Sequence, residues 1–175
     1  MPKEYPVQYA GKISFLRRGI DIGPLEAHSE SLNFIREMEI EKNVYNCHYA
    51  ISDDGQRIDA MMVVSNNYES DVLQAKELYG SFSVGLSGVV GFFSSPKKDY
   101  TMYQLGEYLK QLDHSHYGRA WYELNTKQFI APCSQGPATN VNVHVHRNAK
   151  GEIDAIQIEF NRKETELMME AANDE

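Results

Sequence analysis

In two stretches of this chain, apolar and polar residues alternate regularly enough to predict β-hairpins. From Val44 to Ser52, Tyr45, Cys47, Tyr49 and Ile51 share one face, and from Arg57 to Val64 so do Ile58, Ala60, Met62 and Val64. Between them, Asp53-Asp54-Gly55-Gln56 contains Asp-Gly, which suits the positive-φ positions of a type I′ turn. That turn sets Ile51 opposite Ile58, Tyr49 opposite Ala60 and Cys47 opposite Met62. The second hairpin runs from Asn140 to Arg147, turns through Asn148-Ala149-Lys150-Gly151, and returns from Glu152 to Phe160. Val141, Val143 and Val145 alternate with Asn140, Asn142, His144 and His146; Ile156, Ile158 and Phe160 alternate with Ala155, Gln157 and Glu159. A loop of two or four residues pairs Val143 with Ile156 and Val141 with Ile158. A three-residue loop with Gly151 left-handed slips the register by one and sets each valine against a polar or small residue. The apolar pattern favours the even loop, with the valines inward and the amides and imidazoles outward.

Weaker patterns fill the rest. Val7 to Ala10, Lys12 to Leu16, Arg119 to Leu124 and Gln128 to Ala131 read as short strands. Ser81 to Phe93 reads as a bent strand, because Gly85, Gly88 and Gly91 interrupt Phe82, Val84 and Leu86. Helices are expected from Ser29 to Met38, on the stripe Leu32, Ile35 and Met38; from Ser70 towards Gly80; from Thr101 to Asp113, on Met102, Leu105, Leu109 and Leu112; and from Arg162 to Ala172. Together these predict an α+β, β-rich fold. It is a twisted antiparallel sheet or β-sandwich of hairpins with three or four peripheral helices. Residues 1–175 form one domain, fraying over 170–175.

Composition narrows the classes. With 175 residues and 42% hydrophobic content, the chain can bury a core without disulfide or metal. Its net charge of −8 and its isolated basic pairs, Arg17-Arg18 and Lys97-Lys98, argue against nucleic acid, which needs clustered cations. The same acidity suits a basic partner protein, but simple solubility is the favoured reading. No apolar run approaches the length of a membrane helix, so the cytosol is the expected compartment and no membrane partner is expected.

The order of features resembles an uncharacterised bacterial family, the domain of unknown function numbered 4241. Ile22-Gly23-Pro24-Leu25 looks like its early Gly-Asp-Pro-Leu turn, and Tyr45 to Val64 is similar to its first long hairpin. Val84-Gly85-Leu86-Ser87-Gly88 with Gly91-Phe92-Phe93 looks like its Val-Asp-Ser-Gly strand and trailing Gly-Phe-Phe, and Val141 to Phe160 is similar to its closing strands. Leu86 stands where the family pattern has aspartate, and Gln135-Gly136-Pro137-Ala138-Thr139 replaces a Gly-Asp-Gly loop. The resemblance implies a fold and brings no activity with it.

Candidate chemistry centres on His144-Val145-His146, two imidazoles on one strand face, about 6–7 Å apart by strand rise. Such a pair admits a divalent metal if a third ligand joins it, with Glu159 and Asn142 on the same face; the alternative is a polar, solvated face. His114-Ser115-His116 is a second pair. Cys133 is a nucleophile only if a base stands beside it, and is otherwise a loop thiol. The glycines from Gly85 to Gly91 lack the Gly-Lys-Ser or Gly-Lys-Thr of a phosphate loop. Trp121 is a contact anchor or a buried ring.

No catalytic constellation emerges, so the expected function is a non-catalytic protein-interaction module. It is immunity- or antitoxin-like or a phage accessory factor, and binds through Asn140, Asn142, His144, His146 and Trp121. The alternatives are a small-ligand or metal-dependent enzyme using His144 and His146, and a nucleotide-sequestering protein. No cofactor is predicted beyond the divalent metal that the histidine pair admits.

Overall fold

The computed structural model describes residues 5–15, 19–28, 30–116, 119–125, 127–133, 136, 138–160 and 167–169, without the side chains of 5, 6 and 113–116. In chain order the first strands are β1 (Tyr5–Ser14), β2 (Ile20–Pro24), β3 (Ile35–Met38), β4 (Val44–Ile51), β5 (Ile58–Ser65), β6 (Val72–Leu73), β7 (Glu77–Ser83) and β8 (Val89–Ser94). Helix α1 (Met102–His116) follows, then β9 (Glu123–Asn125), β10 (Gln128–Pro132), β11 (Asn140–Arg147), β12 (Ile153–Glu159) and β13 (Leu167–Met168). They form an eight-stranded sheet, β6-β13-β1-β4-β5-β12-β11-β7, and a five-stranded sheet, β3-β2-β8-β10-β9. All pairings are antiparallel except β1 with β13. The architecture is the expected β-rich α+β sandwich.

The principal core lies between the sheets. Tyr45, Cys47, Met61, Val63, Val143 and Ile156 of the large sheet pack with Ile20, Ile22, Phe92 and Phe129 of the small one. Each sheet also buries part of its outer face. Ala50, Ala60, Met62 and Val64 lie under Leu73, Ala75 and Leu167, while Val89, Phe93 and Ile130 lie under Leu105 and Leu112 of α1. Burial on both faces explains why β5 and β8 are buried along their whole lengths and read as nearly continuous apolar runs. Gly91 is required there, since a Cβ would stand 2.3 Å from the carbonyl oxygen of Phe129 on the neighbouring strand.

Both hairpins form, with registers that alternation alone did not reveal. In the first, Ile51 faces Ile58 as expected, but beyond it Tyr49 faces Met61 and Cys47 faces Val63. Asp59 is the extra residue of a bulge that slips the pairing by one, so Met62 and Val64 face away from Cys47 into the outer cluster. In the second, the loop is the three-residue form: Asn148 N donates to Glu152 O, and Gly151 has φ 81°. The register slip this causes is cancelled at once by a bulge at Asp154, which sets Val143 opposite Ile158 and Val145 opposite Ile156. Apolar therefore meets apolar, displaced by two positions from the expected pairs. Ile58-Asp59-Ala60 and Ile153-Asp154-Ala155 follow Gly55 and Gly151, and both bulge at the aspartate. That recurrence was visible in the sequence as a repeated tripeptide.

Two expected helices, those over 30–38 and 70–80, are absent among the described residues, where α1 stands in place of the three or four expected. The segment from 30 to 38 ends in β3, whose pairing of Met38 with Ile20 and Ile35 with Ile22 extends the small sheet; Leu32 is exposed rather than part of an inward stripe. Ser70 caps no helix: its Oγ accepts the amide of Val72 in a local turn, and the chain continues as β6 and β7. Leu167–Met168 is a strand; the rest of the expected final helix, and the expected fraying at 170–175, lie outside the described residues. In each case pairing with another strand overrides local helical spacing. The expected strand from Ser81 to Phe93 is two strands: the turn at 85–88, with Gly88 at φ 70°, carries the chain from one sheet to the other.

Candidate functional site

The valines of β11 point inward, with Val141, Val143 and Val145 no more than 2% exposed. Asn140 is exposed on the opposite face, and Asn142, His144 and His146 are half-buried there. Asn140 Oδ1 accepts the Ser83 hydroxyl, and Gln157 Nε2 donates to Glu159 Oε2. The two histidines differ in their surroundings. His144 stands opposite Gln157, whereas His146 Nδ1 lies 2.6 Å from Oδ1 of the buried Asp154. Its ring and that of Tyr68 form a T-shaped pair, 5.1 Å between centroids. The bulge that restores the hairpin register is thus what aims Asp154 at His146. With Nδ1 engaged, Nε2 is the nitrogen left to the adjoining 440 Å³ recess, which Asn67, Ser70, Gln74 and Asn148 help to line. Among the described residues, no three or more His, Cys, Asp or Glu side chains stand together as a metal cage.

The other candidates lie apart. Cys133 is half-buried, and its amide donates to Gly88 O. Cys47 is sealed in the core, where burial pushes its thiol well above the usual range. The side chains of His114 and His116 lie outside the described residues. Trp121 is half-buried against the cluster beneath α1, on the outer side of the small sheet, and does not share the β11 face.

A second site was not anticipated. Helix α1 begins with a capping box, in which Thr101 Oγ1 accepts the amide of Gln104 and Gln104 Oε1 accepts that of Thr101. Leu105 and Leu112 turn inward, but Met102, expected on the same stripe, is 84% exposed, and Tyr103 beside it is 77% exposed. Between this end of α1, the 93–100 segment and the β9–β10 hairpin lies an open cleft of about 780 Å³. Tyr100 and Tyr108 stack along it at 5.8 Å. Glu123 Oε1 accepts from the Tyr108 hydroxyl, from Gln128 Nε2 at 3.2 Å and from Asn125 Nδ2 at 3.4 Å. Burial, and then Glu123 itself, pushes the Tyr108 phenol well up, which keeps it a donor. Beside the cleft the Lys97 ammonium is buried over Phe93 and Tyr100, donates to Ala27 O and Lys98 O, and is lowered by burial to about 8. The sequence signal for this site is the cluster Tyr100, Tyr103 and Tyr108 around a helix start.

No family model, no curated protein and no solved structure matches this chain. No helix among the described residues is long and apolar enough to cross a membrane.

Proposed function

We propose that this chain is a non-catalytic protein-interaction module that holds a basic partner protein in the cytosol, as an immunity protein, antitoxin or phage accessory factor does. We include in that reading its kinship with the domain-of-unknown-function 4241 proteins. The observation that carries it is a set of large apolar side chains held in water on pinned segments. Leu32 is 96% exposed and Leu86 92%, in addition to Met102 and Tyr103. These segments are anchored. Asn33 next to Leu32 exchanges two hydrogen bonds with the Ser83 backbone, and Glu26 accepts both the amide and the hydroxyl of Ser87 next to Leu86. Rigid apolar anchors pay little ordering entropy on binding, and the net charge of −8 selects a basic partner. Affinity capture from native lysate, with cross-linking, tests this. The expected result is one stoichiometric basic protein, cross-linked beside these anchors, released by salt and lost from Leu32→Ser/Leu86→Ser. Recovery of the chain alone, or equal capture by that variant, overturns it.

The His146–Asp154 pair favours a second reading, a small-ligand enzyme. A buried carboxylate on Nδ1 fixes the ring and leaves Nε2 to take a proton. The described residues do not complete a metal cage, so this reading rests on acid–base chemistry at His146. Turnover of a ligand bound in the recess, abolished in His146→Ala with folding intact, is the result that would displace the first reading.

A further inference from the structure

We infer that the cleft between α1 and the β9–β10 hairpin is a socket for one cationic side chain of the partner, a guanidinium in preference to an ammonium. The inference rests on the interaction-module reading and names the chemistry of one contact within it.

The carboxylate of Glu123 is the centre of the site. Three donors converge on Oε1, from Tyr108, Gln128 and Asn125, and none of them on Oε2. The group is therefore held in one orientation, with one oxygen committed to the protein and the other left for a ligand. The walls are aromatic. Tyr100 and Tyr108 stack, and Tyr103 stands at the mouth next to the exposed Met102. A tyrosine face attracts a cation, and Lys98 already lies 5.0 Å above Tyr100. The charges lining the cleft are Glu107 and Glu123 against Lys98 and Lys127. Lys98 lies over a neutral ring and keeps its charge, and Glu107 lies 3.7 Å from Lys110, so the lining charges balance and Glu123 is the carboxylate left for a ligand.

A guanidinium fits this arrangement better than an ammonium. With a single carboxylate oxygen open, a ligand cannot gain a two-oxygen fork, and flat stacking on tyrosine makes up the shortfall. A planar guanidinium stacks; a tetrahedral ammonium does not. The long stem of arginine also lets the head reach Glu123 while the partner backbone stays outside, against Met102 and Tyr103.

Backbone amide and side-chain NMR titration of the full chain with acetyl-Gly-Arg-Gly-amide tests the socket, with the citrulline and lysine peptides as controls. Expected are shifts at Tyr103, Tyr108 and Glu123 with the arginine peptide, binding several-fold weaker with lysine, and none with neutral citrulline. Glu123→Gln keeps an acceptor for the three donors, and Tyr103→Ala removes a ring that is mostly in water, so both variants fold. Each weakens arginine-peptide binding at least about fivefold, and Lys127→Ala strengthens it. Equal binding of citrulline, shifts confined to other acidic surfaces, or unchanged binding by Glu123→Gln overturns the socket. Lysate capture separates the two failures. A basic partner retained by both variants refutes the socket and leaves the interaction module standing, whereas no partner with wild-type protein refutes the module itself.

Discussion

The outward face of β11 and the cleft beside α1 are built in opposite ways. On β11 one strand lays out Asn140, Asn142, His144 and His146 by simple alternation, and Asp154 and Ser83 engage His146 and Asn140. The cleft is assembled from three consecutive segments between Phe93 and Gln128 that fold against one another, and its polar network stops one oxygen short, beside rings left in water. A periodic face shows where side chains point. Whether they have hydrogen-bonding capacity left over depends on what folds against them.

The sharpest way to break this contrast is to remove the floor of one region. Phe92 is fully buried on β8, the strand that carries the cleft lining at Phe93 and Ser94. Phe92→Ala should cost about 3–5 kcal/mol in denaturant unfolding. A loss below about 1 kcal/mol would mean that the sheets do not share this core. Within β11 itself, Val143→Ala should cost about 2 kcal/mol, from lost apolar burial and the cavity left behind.

Lys97 gives a pH signature specific to the cleft side. Its folded pKa is lowered from 10.5 to about 8 by burial, so between these values the unfolded chain holds a proton that the native one has released. Stability from this group therefore rises with pH across that window, by at most about 1.4 kcal/mol per pH unit. Measured against Lys97→Met, wild-type stability should climb from pH 8 to 10.5; a parallel pair of curves would show the ammonium to be solvated. Thr101→Ala removes half of the α1 capping box and should cost about 1 kcal/mol while loosening the cleft wall, readable as faster amide exchange at 102–105. The smallest effect falls on the periodic face. His144→Ala should change stability by no more than about 0.5 kcal/mol, against the four-times-larger loss at the adjacent Val143.

Much of this was legible in the chain. The valines of β11, the core-facing side of Cys47 and the α1 stripe from Leu105 to Leu112 follow from side-chain period, which acts locally. The Ile-Asp-Ala tripeptides were also there to be read. Their effect was not, because a bulge is chosen by the pairing it rescues. At Asp154 the left-handed Gly151 slips the register, and only the need to set Val143 and Val145 against Ile158 and Ile156 calls for a correction.

The sequence by itself determined the two hairpins, the β-rich class and the inward side of β11, since alternation and turn residues are properties of neighbours along the chain. Only the tertiary structure decided that the 30–38 and 70–80 segments join sheets instead of coiling, because the strands they pair with, β2 and β11, outweigh their own helical spacing. It alone also decided that Tyr108, Asn125 and Gln128 converge on one oxygen of Glu123. Although Tyr108, Asn125 and Gln128 lie within fifteen residues of Glu123, their convergence depends on how α1 packs beside the β9–β10 hairpin, and residue spacing does not encode that packing.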